Sequence, residues 1–260
     1  FLQNQMITFT YSDISKETYK FYFFYPEIEK LLDKKENEMI KKMLLSNYGD
    51  IFTNFDEKRQ KGENESYICT LIRNDSITDF ISHVNKTNIS LSNTIIKSSI
   101  FETNIFLKEK KPTLIEYAAF YGSIRVFNYL LRNKVELKPT IWEYAIHSNS
   151  AEIISILEEN KIEPGKGILE ESIKCHHNEI ANYIEENYHS KLHGYEDDDD
   201  NVLNNYKILY GFLYSNFNYI PIDAYYNNLA FVFFANYKIH PLLSIISFDL
   251  KNINKDLIIY

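Results

Sequence analysis

Glutamates recur at a fixed spacing in the second half of the chain, where Glu116, Glu143 and Glu170 lie 27 residues apart. A column of carboxylates could bind a metal ion or a cationic ligand. However, Glu116 and Glu143 each follow a threonine by three residues, at Thr113 and Thr140. This is the order of a capping box, in which the two side chains satisfy amides at a helix start. Capping explains both the position and the period, so we predict a structural role for this column.

Cysteine and histidine side chains near position 175 raise the question of a zinc site. Cys175 precedes His176 and His177, and the pair His189 and His193 follows. Structural zinc sites usually combine two paired ligand sets at defined spacings, and no second cysteine lies near this one. We therefore predict no metal site and no cofactor.

The remaining chemical signals are weak. The acidic run at residues 197–200 lacks the spaced D-x-D-x-D-G pattern of a calcium loop. The chain has only seven glycines and none of the common phosphate-loop, nucleophile-elbow or zinc-protease motifs. We therefore predict that the protein is not an enzyme. An unrecognised active site stays an alternative, which a deep polar pocket with converging His, Glu and Cys side chains would support.

The period is a property of the whole segment 112–192, since small, apolar and amide side chains follow it too. Its other members are Ala118, Ala145 and Ser172; Leu130, Leu157 and Ile184; and Asn133, Asn160 and Asn187. A fixed period of this size is typical of stacked supersecondary units. It divides the segment into repeats at 112–138, 139–165 and 166–192.

Each repeat is predicted to be a helix pair. The first helix begins at the N-cap Thr113 or Thr140, or more weakly at Gly167. Gly122 and Asn149 can adopt the left-handed conformation that ends it, whereas their counterpart His176 is a poorer choice. Apolar residues at helical spacing in both helices must be buried by stacking on neighbours. Trp142 is predicted to lie in this core.

One stretch of the first repeat resembles the ankyrin repeat. The stretch reads Ala118-Ala119-x-x-Gly122-x-x-x-Val126-Phe127-x-x-Leu130-Leu131-x-x-Lys134. The units are shorter than the 33 residues of that family, and Thr113-Leu114-Ile115-Glu116 stands in place of its T-P-L-H motif. The chain is similar to short, divergent ankyrin-like proteins expanded in some protists, largely of unknown function. The resemblance implies an all-α solenoid of helix-turn-helix repeats, with shortened inter-repeat fingers and a helical N-terminal region.

The flanking segments complete the predicted organisation. Residues 1–62 are predicted to form the helical N-terminal region, and residues 63–111 a degenerate first repeat with a connecting helix. In that second segment, residues 66–86 suggest two short helices separated at Asn74-Asp75, and residues 87–111 suggest further helix. Residues 193–201 are predicted to form an acidic loop, and 202–260 C-terminal helices with a degenerate, truncated repeat. Within this last segment, helices are expected at 202–217 and 229–247.

Charge and cysteine content narrow the functional classes. The net charge of −8 arises entirely in residues 112–260, since residues 1–111 carry 16 basic and 16 acidic side chains. An acidic surface disfavours nucleic acids and anionic membranes. The longest apolar run, at 229–235, is too short for a membrane span. Two cysteines, Cys69 and Cys175, cannot form a disulfide framework. We expect a cytoplasmic monomer.

The resemblance also implies where a protein partner would bind, namely on the concave face that the first helices of the repeats line. The candidate residues are Tyr117, Phe120, Tyr121, Tyr144, His147, Ser148, Glu171 and Lys174. Tyrosines are effective interface anchors because they are large, amphipathic and low in rotamer entropy. We therefore predict a non-enzymatic protein-interaction module. The alternative is a structural or regulatory segment that packs within a larger chain, suggested by the abrupt apolar end Ile258-Ile259-Tyr260.

Overall fold

The computed structural model describes residues 22–193, 207–211 and 213–219. This part of the chain is mostly helical and contains no strand, only an isolated antiparallel bridge between Ile95 and Thr113. The all-α prediction is therefore confirmed. None of the helices described combines the length and the apolar character that crossing a membrane requires.

The chain divides into two compact units, Phe1–Glu136 and Leu137–Tyr260. The helices of unit 1 are α1 (Tyr25–Ile28), α2 (Lys34–Tyr48), α3 (Phe55–Lys61), α4 (Tyr67–Arg73), α5 (Ile77–Thr87), α6 (Ile105–Lys110), α7 (Leu114–Phe120) and α8 (Ile124–Arg132), with a 3-10 turn at Glu29–Leu31. Those of unit 2 are α9 (Ile141–Ser148), α10 (Ala151–Glu159), α11 (Ile168–Lys174) and α12 (Asn178–His193), with a 3-10 turn at Phe217–Tyr219.

The N-terminal helices of unit 1 surround an aromatic core of their own. Its buried members are Tyr22, Tyr25, Ile40, Leu44, Ile51, Phe55, Ile100 and Phe101. Helix α2 presents Ile40 and Leu44, one turn apart, to this core. The rings of Phe55 and Phe101 meet edge to face, with centroids 5.0 Å apart. This packing holds the segment before α6 against the N-terminal helices.

Two helix pairs stack in unit 1, with α4 against α7 and α5 against α8. The turn between α4 and α5 fixes the contact, since the Asp75 carboxylate accepts hydrogen bonds from the backbone N–H of Arg125 (3.1 Å) and Val126 (2.9 Å). These amides open α8, so a carboxylate there satisfies their hydrogen bonds and complements the helix dipole. The two helices predicted within 66–86, separated at Asn74-Asp75, are confirmed.

The 27-residue period is confirmed in the helix boundaries. Helices α7, α9 and α11 begin at residues 114, 141 and 168, and helices α8, α10 and α12 begin at residues 124, 151 and 178. Within unit 2, α9 packs on α11, and each first helix packs on the second helix of its own pair. Trp142 is fully buried, as predicted, and its indole N–H donates to the Ile162 carbonyl at 2.7 Å.

The caps of the three repeats differ from one another. Thr113 and Glu116 form the predicted capping box, and the Glu116 carboxylate accepts from the Thr113 N–H and hydroxyl, both at 2.8 Å. The box predicted at Thr140 is wrong, because Thr140 is already in the helical conformation and makes no side-chain cap bond. A turn through Pro139 leads directly into α9, which leaves the threonine no capping position.

Left-handed residues end the first helices at the predicted period. Gly122, Asn149 and His176 have φ angles of 65°, 52° and 60°, so the histidine adopts the same turn as the glycine. A second set, Lys134 and Lys161, follows α8 and α10 with φ of 60° and 56°.

The additional helix predicted over 87–111 is confined to α6. Residues 88–104 form turns and extended backbone instead, including the bridge between Ile95 and Thr113. Here the Ile96 N–H donates to the Pro112 carbonyl at 2.8 Å. Adjacent β-branched isoleucines favour extended backbone when a partner segment is available.

Several predicted elements lie wholly or mainly outside the described residues. They are the acidic loop 193–201 and the helices at 229–247. The helix predicted over 202–217 is described at 207–211 and 213–217, where residues 207–211 and 213 are helical.

Candidate functional site

Tyr117 occupies the interior of unit 1. It is only 1% exposed, and its hydroxyl accepts a 2.8 Å hydrogen bond from Arg73 Nη1. The same guanidinium donates to the Asn64 carbonyl and forms an ion pair with Glu63. Burial strongly raises the pKa of the Tyr117 phenol. The predicted exposure of Tyr117 is therefore wrong, because its ring packs between the two stacked helix pairs.

Phe120 and Tyr121 are half-buried at the end of α7. Phe120 stacks on Phe106 of α6, with ring centroids 6.0 Å apart. The Tyr121 ring lies 5.8 Å from the Arg73 guanidinium, and burial raises the pKa of its phenol to about 12. Part of each side chain faces solvent, so both stay candidates for partner contact.

In unit 2, Tyr144 is buried, and Ser148 makes hydrogen bonds to nearby backbone. Tyr144 is 3% exposed, so its predicted exposure is also wrong: it lies on the buried side of α9. The Ser148 hydroxyl donates to the Ala145 carbonyl at 2.8 Å and accepts from the Ser150 N–H at 3.3 Å. These bonds shape the turn between α9 and α10.

His147, Glu171 and Cys175 converge in unit 2. His147 lies in the last turn of α9, Glu171 in α11 and Cys175 in the turn that ends α11. His147 Nε2 is 2.8 Å from Glu171 Oε1, and Cys175 Sγ is 3.5 Å from His147 Nδ1 and 3.7 Å from Nε2. One nitrogen, one oxygen and the sulfur lie within 4.8 Å of one another. We call these three residues the His-Glu-Cys cluster.

Lys174 adds a cation at the edge of the cluster. Its Nζ is 3.2 Å from both Glu171 carboxylate oxygens, and its side chain is 44% exposed. By comparison, the His147 and Glu171 side chains are only 13% and 16% exposed. The cluster is therefore mostly enclosed, with a partly exposed charged side chain at its solvent edge.

The electrostatics of the cluster favour a charged carboxylate and a neutral thiol. Burial acts to raise the pKa of Glu171, but the hydrogen bond with His147 and the charge of Lys174 together lower it below its usual value. Burial and the neighbouring Glu171 carboxylate raise the pKa of the Cys175 thiol to about 12. The sulfur is therefore protonated at neutral pH.

These properties differ from those of a cysteine nucleophile. An activated cysteine has a lowered pKa and a hydrogen bond to one nitrogen of its histidine. The Cys175 sulfur is instead nearly equidistant from the two ring nitrogens, so it lies against the ring rather than on the lone-pair axis of either one. What the cluster does offer is an imidazole nitrogen, a carboxylate oxygen and a sulfur, three donor types that bind zinc.

The sequence indicated the members of the cluster but not their association. His147 and Glu171 are among the predicted partner-binding residues, while Cys175 was weighed as a metal ligand only together with histidines close to it in sequence. His176 points elsewhere, with Nε2 3.0 Å from the Tyr214 carbonyl oxygen. The missed signal is the period itself, since stacked repeats bring together residues about one repeat apart rather than neighbours in sequence.

The repeated glutamates have separate roles in the structure. Glu116 caps α7, whereas Glu170 accepts a 2.6 Å hydrogen bond from the Tyr214 hydroxyl.

Comparison with protein-family models, curated proteins and solved structures finds no match in any of the three.

Proposed function

We propose that the protein is a non-enzymatic interaction module, in which ankyrin-like helix pairs present non-repeating side chains to a protein partner. The observation that carries this proposal is a difference in burial between repeated apolar positions and one register of changing positions. Repeated positions such as Leu130 and Leu157 are fully buried. The register of Phe120, His147 and Lys174, where the residue changes from repeat to repeat, retains solvent exposure in all three repeats. Residues that the scaffold does not constrain are free to specialise in binding.

The binding residues are the predicted set without the two buried tyrosines. In unit 1 these are Phe120 and Tyr121, and in unit 2 they are His147, Ser148, Glu171 and Lys174. Of these four unit 2 residues, Lys174 has the most exposed side chain. An exposed cation in a net acidic chain would pair with an acidic group on the partner, and such a contact contributes to orientation and specificity. The proposed location is the cytoplasm, where the cysteines stay reduced.

A charge reversal at Lys174 tests this proposal. The full chain is used as bait in a lysate of the cells from which the sequence comes, and captured proteins are quantified by mass spectrometry. The bait carrying Lys174→Glu should recover the partner about fivefold less than the wild type, as expected for a contact worth about 1 kcal/mol. The matched control is Lys166→Glu, an equally large charge change at an exposed position before α11. Equal recovery with both variants would count against this surface.

The second candidate function is packing within a larger polypeptide. The observation in its favour is a pair of exposed methionines one turn apart on α2, Met39 at 55% and Met43 at 40% exposed. Such side chains are typically covered in a working assembly when they cluster. On this interpretation the isolated chain should self-associate or bind a hydrophobic dye. Monodisperse, dye-negative behaviour in light scattering and fluorescence would reject it.

A further inference from the structure

We propose that His147, Glu171 and Cys175 form a binding site for one Zn²⁺ ion. All three residues belong to the described part of unit 2, and their ligand atoms lie within 4.8 Å of one another. His147 and Glu171 also belong to the proposed partner-binding set, but metal binding is a property of unit 2 that is measured without a partner.

Two of the three distances between ligand atoms lie within about 0.5 Å of those in a tetrahedral zinc site. With Zn–N and Zn–O bonds of about 2.1 Å and Zn–S bonds of about 2.3 Å, two ligand atoms on one ion stand roughly 3.3 to 3.6 Å apart. The separation of His147 Nε2 from Glu171 Oε1 is 2.8 Å, and its separation from Cys175 Sγ is 3.7 Å. The ion would replace the proton that the imidazole and the carboxylate share. The sulfur must turn from the ring face toward the carboxylate to complete the set.

The donor types select the metal. A thiolate together with an imidazole favours zinc over magnesium or calcium, which prefer oxygen ligands throughout. Three protein ligands leave a fourth tetrahedral position for water or an exogenous ligand, as in open zinc sites. Lys174 does not close that position permanently, since its half-exposed side chain can move into solvent.

The cluster is not a by-product of the repeat. One period earlier, the equivalent positions carry Phe120, Tyr144 and Ser148, which do not form a comparable set of donors. A requirement of the scaffold would have reproduced the same residue types, as it does for the buried Leu130 and Leu157. The donor set therefore belongs to the pair α9 and α11 specifically.

Metal titration of the full chain tests the proposal. Equilibrium dialysis should show one bound Zn²⁺ per chain, and Co²⁺ should give a thiolate-to-metal charge-transfer band in the near ultraviolet. The variants Cys175→Ser and Glu171→Gln should each weaken Zn²⁺ binding by at least about tenfold. Cys175→Ser should also abolish the Co²⁺ band. Circular dichroism verifies that both variants keep the helical content of the wild type.

Two further variants sharpen the interpretation. Cys69→Ala removes the other cysteine, which lies in unit 1, and should leave the Co²⁺ band unchanged. Lys174→Gln removes a competing cation from Glu171 and should tighten Zn²⁺ binding, a gain that damage to the fold would not produce. The proposal is overturned if the wild type retains no Zn²⁺, or if the Co²⁺ band persists in Cys175→Ser. A band lost in Cys69→Ala but not in Cys175→Ser would overturn it as well.

Discussion

At the scale of single residues, Tyr117 connects the two stacked helix pairs of unit 1. Its hydroxyl accepts from Arg73 at the end of α4, while its ring belongs to α7. The Arg73 side chain is 11% exposed, so this hydrogen bond forms largely away from water. A buried hydrogen bond to a charged donor is among the stronger polar contributions to stability.

Removal of this hydroxyl should therefore be measurable. We predict that Tyr117→Phe lowers the free energy of unfolding by about 2 kcal/mol, because the guanidinium loses one buried acceptor. Denaturant unfolding followed by far-ultraviolet circular dichroism measures the change. The matched control is Tyr67→Phe at a ring that is 58% exposed, where little change is expected. Equal effects at the two positions would show that the Arg73 contact is energetically neutral.

The His-Glu-Cys cluster shows how far residue types alone can lead. His147 and Glu171 were identified from the sequence because the ankyrin resemblance places side chains of the first helices on the concave face. Their contacts span 24 residues to each other and 28 residues from His147 to Cys175. Such contacts depend on how α9 packs against α11, and no local spacing rule contains that information. The burial of Tyr117 and Tyr144 was missed for the same reason.

At the scale of helices, the turns after α8 and α10 carry a conformational cost. Lys134 and Lys161 adopt left-handed backbone, which a residue with a Cβ atom disfavours. Glycine takes this conformation readily and is the commonest residue at such helix ends. The Lys161 N–H still closes the turn, donating to the Glu158 carbonyl at 2.8 Å.

Glycine at this position should relieve that cost. We predict that Lys161→Gly raises the free energy of unfolding by about 0.5–1 kcal/mol. The comparison is Lys166→Gly, at an exposed residue without a positive φ, where added backbone freedom in the unfolded chain should destabilise the protein. Thermal melts of both variants distinguish the signs. A loss of stability in Lys161→Gly would contradict the role assigned to this turn.

Helix boundaries were predictable wherever local chemistry determined them. The Thr113–Glu116 capping box, the left-handed Gly122 and Asn149, and the 27-residue period all follow from side chains close in sequence. The capping box predicted at Thr140 was wrong because the preceding turn through Pro139 places the Thr140 backbone in the helical conformation. Its spacing to Glu143 is nevertheless that of a capping box. The helix predicted over residues 88–104 was wrong because the segment pairs with the backbone near Thr113, through the bridge to Ile95. The spacing of apolar residues alone does not reveal such a pairing.

At the scale of the whole molecule, each of the two units buries large aromatic side chains. Unit 1 contains the aromatic core around Phe55 and Phe101, and unit 2 contains the core around Trp142. The net negative charge arises in residues 112–260, which include all of unit 2. Lys174 is an exposed cation in this acidic half of the chain, at the edge of the His-Glu-Cys cluster, and we place the partner contact there.

A photoreactive side chain at this position tests the proposed function most directly. Benzoylphenylalanine is introduced in place of Lys174, or in place of the exposed Ser155 on α10 as the matched control. Irradiation in a lysate of the source cells, followed by mass spectrometry, identifies covalent adducts. We predict that position 174 forms an adduct with one protein partner and that position 155 does not. Adduct formation at position 155 alone, or the same adducts in equal yield at both positions, would contradict partner binding through this surface.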